Sequence, residues 1–477
     1  VRIAPVVNSI HSNHLGGDSN LLFNLLEATV KRKVISLLLS LIVLTVFLAP
    51  QVGAEGFEYQ FKSADEEGGT GGPHCKSLFM VNLDTDTVVY SMNPDERLEM
   101  ASITKIMSYI IAYENIDDIY GTVITVPQSV IDELNDTGSS LAKIEAGEEF
   151  TGIQLLNMMM VPSGNDAALV LDKYVTSLNI TLGSKVENLK EGQNPDQVLT
   201  FVDLMNMKAE ELGCTNTHFT NAHGLHDEDH YSSARDLMKI VQYAMNVPDF
   251  PEITNKTTYE LDPISDKTKE RPYYPTTNKM MLQLESEYYY QYATGIKTGS
   301  HDQAGYCIAA SARYDGYTYV VIALGSQMLA DDGVSETGYH GEMHDARELF
   351  KWAFTKLSRK TVVTEGQLMG DIPISYAWKK DNLQLVASKN VNAILPTVVE
   401  SSSIINTLEI PEKIEAPVKK GDVIGTATLK YADEVIGKVD IVASETIERS
   451  DVMMAVDHIR NVFTSKWFLV IIGLSLA

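Results

Sequence analysis

The chain is poor in cysteine: Cys75, Cys214 and Cys307 are the only three among its 477 residues. Their spacing contains no CxxC pair and no metal-ligand pattern with nearby histidines, which argues against a disulfide framework or a zinc site. We therefore predict three mostly buried thiols. Cys307 follows Gly299 by only eight residues, so we expect it to lie near any site built around Gly299.

Basic residues are also scarce. The chain has 38 Lys and Arg against 64 Asp and Glu, a formal net charge of −26. Binding to phosphates needs clustered Lys and Arg, so nucleic acid is excluded as a partner. Internal repeats and low-complexity segments are lacking as well. The length accommodates two or three domains, and the 44% hydrophobic content is ordinary for a globular protein.

Both ends carry apolar runs that are too short to span a bilayer as a helix. Near the beginning, the basic residues 31–33 precede an uncharged apolar run, 34–48, and then small residues. This order predicts a secretory signal peptide at 30–54, with an uncleaved anchor as the alternative, and we expect 1–29 to be upstream, non-native translation. Residues 462–477 are predicted to be a membrane anchor, within or along the bilayer; a buried core helix is the alternative.

The region between these ends divides in two. Residues 74–357 mix strand-like runs with helices of period 3.6, which predicts an α/β (α+β) domain with an antiparallel sheet. The segment 179–197 is polar and irregular and is predicted to be a surface loop. Residues 361–449 are alternating and β-branched, with turn signals and no helical period, so we predict a small all-β domain there.

Three short motifs carry the candidate chemistry. The first is Ser102-Ile103-Thr104-Lys105 at the predicted start of a helix, where residues three apart share a face. A serine hydroxyl is a weak nucleophile until a base takes its proton, and a lysine with a lowered pKa can be that base. A second S-x-x-K, Ser140 to Lys143, is predicted to be loop and strand.

The second motif is Ser163-Gly164-Asn165, in a break between two apolar helical segments at 155–161 and 166–174. Polar groups between buried helices must be satisfied or functional. Ser163 could relay a proton and Asn165 could hold a substrate carbonyl, although a helix N-cap role explains either residue equally well in isolation.

The third motif, Lys297-Thr298-Gly299, lies on a strand-like run after Ile296. A strand edge presents Lys297 and Thr298 to an extended peptide, and glycine lets a ligand backbone approach closely. A cation in this position can hold a terminal carboxylate. As an isolated tripeptide it would indicate no more than the end of a turn.

Together, S-x-x-K, S-x-N and K-T-G in this order match the penicillin-recognising serine enzymes. The segments MASITKIMS, MVPSGNDAALVL and GIKTGSHDQAGYCIAASA closely resemble the low-molecular-mass D-alanyl-D-alanine carboxypeptidases, which are penicillin-binding proteins. The resemblance covers roughly 74–357 and extends more loosely to the β domain through APVKKGDVIGTATL.

The resemblance implies a transpeptidase-like fold and a role for each motif. Ser102 would be the nucleophile and Lys105 its base, Ser163 and Asn165 would line the cleft, and Lys297 with Thr298 of Lys297-Thr298-Gly299 would grip the substrate carboxylate. The remaining implied site residues are Ser300, whose N–H would complete an oxyanion hole with that of Ser102, and His223 beside the site.

The same resemblance implies the reaction, the partners and the location. An acyl-enzyme on Ser102 would release the terminal D-alanine of peptidoglycan stems ending in D-Ala-D-Ala, and β-lactams would inhibit it. No metal or organic cofactor is implied. The protein would act outside the cytoplasmic membrane and be anchored to it. Ser300 and His301 depart from the usual pattern, in which an aromatic residue or His is followed by Thr.

Three alternatives stay open. A class A β-lactamase shares the motifs, but no E-x-x-L-N string occurs between Asn165 and Lys297. A DD-endopeptidase acting on peptidoglycan cross-links is a close neighbour that the sequence does not separate. A non-catalytic wall-binding protein is disfavoured because all three motifs are complete.

Overall fold

The computed structural model describes residues 57–62, 71–186, 188–190, 192–271, 273–285, 287–328, 338–400, 403–431 and 434–464. Within them, the strands before the β-rich region are β1 Ser77–Asn82, β2 Thr87–Met92, β3 Val123–Thr125, β4 Glu149–Thr151, β5 Thr258–Tyr259, β6 Tyr274–Pro275, β7 Ala293–His301, β8 Gly305–Tyr314 and β9 Tyr317–Ser326. The helices are α1 Lys105–Asn115, α2 Gln128–Leu134, α3 Gly152–Met160, α4 Asn165–Ser177, α5 Leu182–Lys185, α6 Phe201–Glu211, α7 Ala234–Ala244, α8 Phe250–Thr254, α9 Gly341–Lys356 and α10 Asp451–Thr464.

An antiparallel sheet of five strands carries the third motif. Its order is β2-β1-β9-β8-β7, and each neighbouring pair is antiparallel. Because β7 is the last strand in this order, its outer edge is free of a protein strand within the described chain. An edge of this kind can pair with an extended peptide.

The two faces of this sheet pack on different helices. On one face, Ile103, Ile106 and Ile110 join residues of α3, α4, α6 and α7 in a large buried cluster. On the other face, Leu349 and Phe350 of α9 pack with Leu78 and the alternate residues of β8 and β9. The antiparallel sheet with helices predicted from the sequence is confirmed.

Local chemistry sets where several helices begin. The Thr151 hydroxyl accepts the N–H of Gln154, and the Gln154 side chain accepts the N–H of Thr151, which forms a capping box before α3. Thr200 and Asp203 repeat this arrangement before α6. The predicted loop 179–197 is partly regular, because α5 lies near its beginning.

The β-rich region contains the strands β10 Leu357–Val363, β11 Leu368–Ser375, β12 Asn382–Ala387, β13 Val391–Pro396, β14 Ile405–Glu409, β15 Ile414–Glu415, β16 Val423–Tyr431 and β17 Glu434–Ala443. Six of them form a sheet in the order β14-β16-β17-β12-β11-β15, and β10 pairs with β13. Their inward residues, such as Leu383, Leu429 and Ile441, build a separate apolar core. The all-β character predicted for this region is confirmed, with its first strand starting at Leu357 instead of 361.

The described chain ends in α10. Within that described part, we find no helix with both the length and the apolar character that crossing a bilayer requires. The predicted segments 1–29 and 30–54 lie outside the described residues, as does the predicted anchor beyond residue 464.

Candidate active site

Ser102 lies in a short 3₁₀ turn, Ala101–Thr104, that leads directly into α1. The sequence predicted this serine at the start of an α-helix; the α-helix instead begins at Lys105. Ala101 has a positive φ of 47°, a backbone conformation that is unfavourable for alanine and is not found in a regular α-helix. The spacing of three still brings the two motif residues together, because a 3₁₀ turn also aligns residues i and i+3.

Lys105 is fully buried and its Nζ makes three polar contacts. It lies 2.7 Å from Ser102 Oγ, 2.6 Å from Asn165 Oδ1 and 2.7 Å from the carbonyl oxygen of His223. The amide oxygen and the carbonyl oxygen can only accept, so they take two N–H bonds. A neutral amine has two hydrogens and one lone pair, and the lone pair is then left for the hydroxyl proton of Ser102.

Burial is also the main cause that favours the neutral form of this amine. It lowers the pKa of Lys105 well below 10.5, and the nearby ammonium of Lys297 lowers the pKa further. The contacts and the lowered pKa are both compatible with the role predicted for Lys105 as the base of Ser102.

The second motif forms the turn between α3 and α4. Ser163 has a positive φ of 65°, and Asn165 begins α4. The adjacent Asp166 is buried and accepts the backbone N–H groups of Ala142 at 2.9 Å and Ile144 at 3.2 Å. Burial raises the pKa of Asp166, although these N–H bonds oppose the rise. Asp166 thereby fixes the neighbouring cleft wall to this turn.

Lys297 connects the second and third motifs. It is buried on β7, and its Nζ donates to Ser163 Oγ at 2.8 Å and to the carbonyl oxygen of Thr298 at 3.0 Å. Burial lowers the pKa of Lys297 to about 7. This residue therefore changes charge near neutral pH, unlike an exposed lysine.

Gly299 allows β7 to pass close to the turn Ala101–Thr104, called the nucleophile turn because it carries Ser102, the predicted nucleophile. A Cβ at Gly299 would lie 2.6 Å from the carbonyl oxygen of Met100 and 3.0 Å from the backbone nitrogen of Ser102. Gly224 is equally confined, since it has a φ of +86° and its Cβ would lie 2.0 Å from the carbonyl oxygen of Ala101. Two glycines thus permit the close packing around Ser102.

Six of the nine predicted site residues line one cleft of about 530 Å³, whereas Lys105, Lys297 and His223 are buried and do not line it. Its wall includes Ser102, Ser163, Asn165, Thr298, Gly299, Ser300 and His301. His223 contributes its carbonyl oxygen to Lys105, while its ring Nδ1 accepts the N–H of Leu225. Burial lowers the pKa of His223 to about 3, so the ring is neutral. Among the described residues, no group of His, Cys, Asp and Glu is arranged to hold a metal ion.

The secondary predictions have mixed outcomes. Cys75 and Cys307 are free and buried as predicted, whereas Cys214 is partly exposed. Cys307 pairs with Gly299 in the β7–β8 register, which places it one strand behind the motif. Ser140 and Lys143 lie in an irregular segment, so the predicted loop is confirmed and the predicted strand is wrong.

The sequence analysis missed two supports of the site. His230 Nδ1 accepts the N–H of Thr220, so Nε2 carries the proton and donates to Thr104 Oγ1 at 2.8 Å. The Thr104 hydroxyl in turn donates to the carbonyl oxygen of Ala101 at 2.7 Å. On β7, Thr298 Oγ1 lies 2.5 Å from Thr277 Oγ1, which also lines the cleft.

Comparison with known proteins identifies the class to which this fold and cleft belong. The family model for D-alanyl-D-alanine carboxypeptidase, peptidase family S11, matches residues 68–179 and 194–328. A second model, for the C-terminal domain of penicillin-binding protein 5, matches residues 358–449. The chain belongs to the D-alanyl-D-alanine carboxypeptidase family, and it is a serine-type carboxypeptidase of the penicillin-binding type.

Curated relatives and solved structures agree with this assignment. The chain is 26% identical over 377 residues to the D-alanyl-D-alanine carboxypeptidase DacF of Bacillus subtilis, covering 79% of this chain and 86% of that protein. It is 24% identical over 410 residues to DacA of Escherichia coli K12, covering 83% and 89%. The crystal structure of penicillin binding protein 5 from Haemophilus influenzae has the same fold, with a TM-score of 0.59, 22% identity, and coverage of 80% of this chain and all of the other.

Proposed function

We propose that Ser102 is the nucleophile, that Lys105 is its general base, and that the other motif residues bind and orient a peptide ending in D-Ala-D-Ala. The observation that carries this assignment is the set of contacts at Lys105 Nζ. Asn165 Oδ1 and the carbonyl oxygen of His223 can accept the two hydrogens of a neutral Lys105 amine. The lone pair is then available to Ser102 Oγ, which lies 2.7 Å away.

Acylation follows from this geometry. Lys105 takes the Ser102 proton as Oγ attacks the carbonyl carbon of the D-Ala-D-Ala amide. The negative charge on the carbonyl oxygen is stabilised by the backbone N–H groups of Ser102 and Ser300. When the C–N bond breaks, the proton taken up by Lys105 passes to the leaving amine by way of the Ser163 hydroxyl, which makes Lys105 neutral again, and free D-alanine departs. Water then hydrolyses the Ser102 ester with Lys105 again as the base.

Carboxylate recognition is assigned to the β7 end of the site. We assign the C-terminal carboxylate of the substrate to the Lys297 ammonium, which donates to Ser163 Oγ, and to the Thr298 hydroxyl, beside the open edge of β7. A cation and a hydroxyl together make charge-assisted bonds that an amide terminus cannot form equally well. This preference distinguishes a carboxypeptidase from an endopeptidase.

The proposed substrates are peptidoglycan stems that end in D-Ala-D-Ala, and the proposed inhibitors are β-lactams. A β-lactam presents an acyl carbonyl and a carboxylate that can occupy the same two positions. Ser102 would open the ring and retain the product as an ester. The names of the relatives and of the matching structures support both halves of this proposal.

The direct experiment follows release of D-alanine. Wild type and Ser102→Ala are incubated with a peptide ending in D-Ala-D-Ala, and mass spectrometry records the loss of one alanine. We expect loss with the wild type only. D-Alanine release by Ser102→Ala at the wild-type rate would contradict the assignment of the nucleophile.

We also propose an extracytoplasmic location, with α10 at the membrane surface and the β-rich region as a stalk between the bilayer and the catalytic region. Val452, Met453, Val456 and Ile459 of α10 are exposed and repeat at helical spacing. An apolar stripe of this kind can lie in a bilayer interface. The double variant Val456→Asp, Ile459→Asp should move the protein from the membrane fraction to the soluble fraction. Retention in the membrane fraction would contradict the proposal that α10 binds the membrane surface.

A further inference from the structure

A buried histidine outside the three motifs is linked by hydrogen bonds to the nucleophile turn. His230 is 2% exposed and takes no part in the steps above. Its Nδ1 accepts the backbone N–H of Thr220 at 3.0 Å, and its Nε2 lies 2.8 Å from Thr104 Oγ1. Thr104 Oγ1 lies in turn 2.7 Å from the carbonyl oxygen of Ala101. The bonds therefore run from His230 through one hydroxyl to one carbonyl oxygen.

The tautomer of the His230 ring sets the direction of each hydrogen in this series. Because Nδ1 accepts an N–H, the hydrogen of the neutral ring is on Nε2 and is donated to the Thr104 hydroxyl. That hydroxyl has a single hydrogen of its own, which it donates to the Ala101 carbonyl oxygen. Burial lowers the pKa of His230 to about 4, so the ring is neutral at neutral pH and keeps this tautomer.

The carbonyl group at the end of the series shares a peptide unit with the Ser102 N–H. A peptide unit is planar and trans, so its C=O and N–H bonds point in opposite directions. Fixing the Ala101 carbonyl therefore fixes the direction of the Ser102 N–H, which is assigned above to the oxyanion hole. Gly224 also packs against this carbonyl, because a Cβ at that glycine would lie 2.0 Å from the oxygen.

The backbone conformation at Ala101 makes such support necessary. A φ of 47° is unfavourable for alanine, and a conformation of this kind persists only where neighbouring contacts hold it. A buried histidine with two satisfied ring nitrogens stabilises a fold wherever it lies. The bond from His230 does more, because it leaves the hydrogen of the Thr104 hydroxyl free to bond to the Ala101 carbonyl oxygen.

We infer that His230 is a positioning residue for the oxyanion hole: it directs the Thr104 hydroxyl to the Ala101 carbonyl oxygen and thereby aims the Ser102 N–H at the reacting carbonyl. The inference rests on the proposed function, in which that N–H stabilises the oxyanion. The oxyanion forms only after substrate has bound, so loss of this support lowers kcat and leaves KM nearly unchanged. Removing one oxyanion-hole donor costs about 10²–10³-fold in kcat, and we expect a misdirected donor to cost about 10–100-fold.

Substitutions along the series test the inference through kcat and KM for release of D-alanine. His230→Phe removes the N–H donor and Thr104→Val removes the hydroxyl; each should lower kcat by about 10–100-fold and change KM by less than about twofold. Thr104→Ser keeps the hydroxyl and should keep most of kcat. The double variant His230→Phe, Thr104→Val should lose no more than the larger single loss, because both act through one series of bonds. The matched control is His218→Phe, an exposed ring that contacts the carbonyl oxygen of Asp229, and it should keep the wild-type kcat.

A peptide boronic acid measures the oxyanion hole directly. Its boron binds Ser102 Oγ and becomes tetrahedral, so that a boron hydroxyl occupies the oxyanion position. His230→Phe and Thr104→Val should weaken binding of this probe by about 10–100-fold, in parallel with the loss of kcat. In the Ser102→Ala background, the Kd of the unreacted substrate peptide should be the same with and without His230→Phe.

The outcomes separate this inference from the proposed function. A wild type that neither releases D-alanine nor binds the boronic acid would overturn the proposed function and the inference with it. A wild type that does both, with equal kcat and equal boronate affinity in Thr104→Val, would overturn the inference alone, and this result needs no folded His230 variant. Equal losses in boronate affinity and in ground-state peptide affinity would show a general structural role and would also overturn it.

Discussion

The catalytic region, residues 74–357, and the β-rich region that follows it bury different kinds of side chains. Within the described residues, the catalytic region buries two lysines, several histidines and several carboxylates, whereas Thr428 is the one polar residue buried in the β-rich strands. The β-rich core is otherwise made of aliphatic side chains, which stabilise a fold without specifying chemistry.

The difference shows where function lies in this chain. Burying an ionisable group costs free energy and shifts its pKa, so such groups persist where the surrounding structure supports them. Lys105 of α1 contacts Asn165 of α4 through its side chain, and Lys297 of β7 contacts Ser163 in the turn before α4. Within the described residues, buried ionisable groups are therefore confined to the region that contains the site, and the β-rich region has an almost wholly apolar core.

The comparison predicts that the largest loss comes from removing a buried lysine. Lys105→Met should lower the rate of acylation by a labelled penicillin by about 10³-fold, within the range that general bases contribute. The matched control is Lys143→Met in the second S-x-x-K, where the side chain is exposed. Equal losses in both variants would break the distinction between buried and exposed lysines.

Glycine positions sharpen the same comparison. Gly299→Ala should reduce kcat/KM by about 10²-fold, because its Cβ would press on the carbonyl oxygen of Met100 and displace the nucleophile turn. Gly370→Ala on β11 meets one flexible leucine atom at 3.1 Å and should leave kcat/KM unchanged. Normal activity in Gly299→Ala would show that the close approach of β7 is not required.

A smaller effect is expected from the hydroxyl that supports Thr298. Thr277→Val removes its hydrogen-bond partner and should raise KM for the free-acid peptide by up to about tenfold, with little change in kcat. Thr137→Val, on another part of the cleft wall, serves as the control. A change in kcat alone would assign Thr277 to the chemical step instead of carboxylate binding.

The last predicted effect is on stability and not on activity. The pKa of Lys297 is about 7 when folded and near 10.5 when unfolded, so the unfolded chain binds more protons between these values. Its contribution to the free energy of unfolding therefore rises with pH from about 7 to about 10. Urea unfolding of Lys297→Met should show a shallower rise over this range than the wild type; parallel curves would contradict the shifted pKa.

Much of the fold and the central motifs could be predicted from the sequence. The helical spacing of apolar residues predicted α1, and the alternation of apolar and polar residues predicted the β-rich region. The order of the three motifs predicted which residues would come together at the cleft. The start of α9 at Gly341 is hard to predict from the sequence, because Glu342 and His344 are polar yet buried and so hide the helical period.

Other features depend on contacts that no local pattern encodes. His230 supports the nucleophile turn across 126 residues, and Thr277 supports Thr298 across a loop. Neither residue belongs to a spacing that distinguishes it from ordinary surface polar residues. The 3₁₀ turn at Ser102 was likewise hidden, because i and i+3 meet in both kinds of helix.

The central claim is that Lys105 is neutral at working pH and takes the proton of Ser102. The most direct test is the pH dependence of acylation by a labelled penicillin, with trapped protein counted by mass spectrometry. Because burial lowers the pKa of Lys105, the account predicts that the base-dependent rise reaches half its height well below pH 10.5. A rate that continues to rise tenfold per pH unit up to about 10.5 would show an ordinary, protonated lysine and contradict the account.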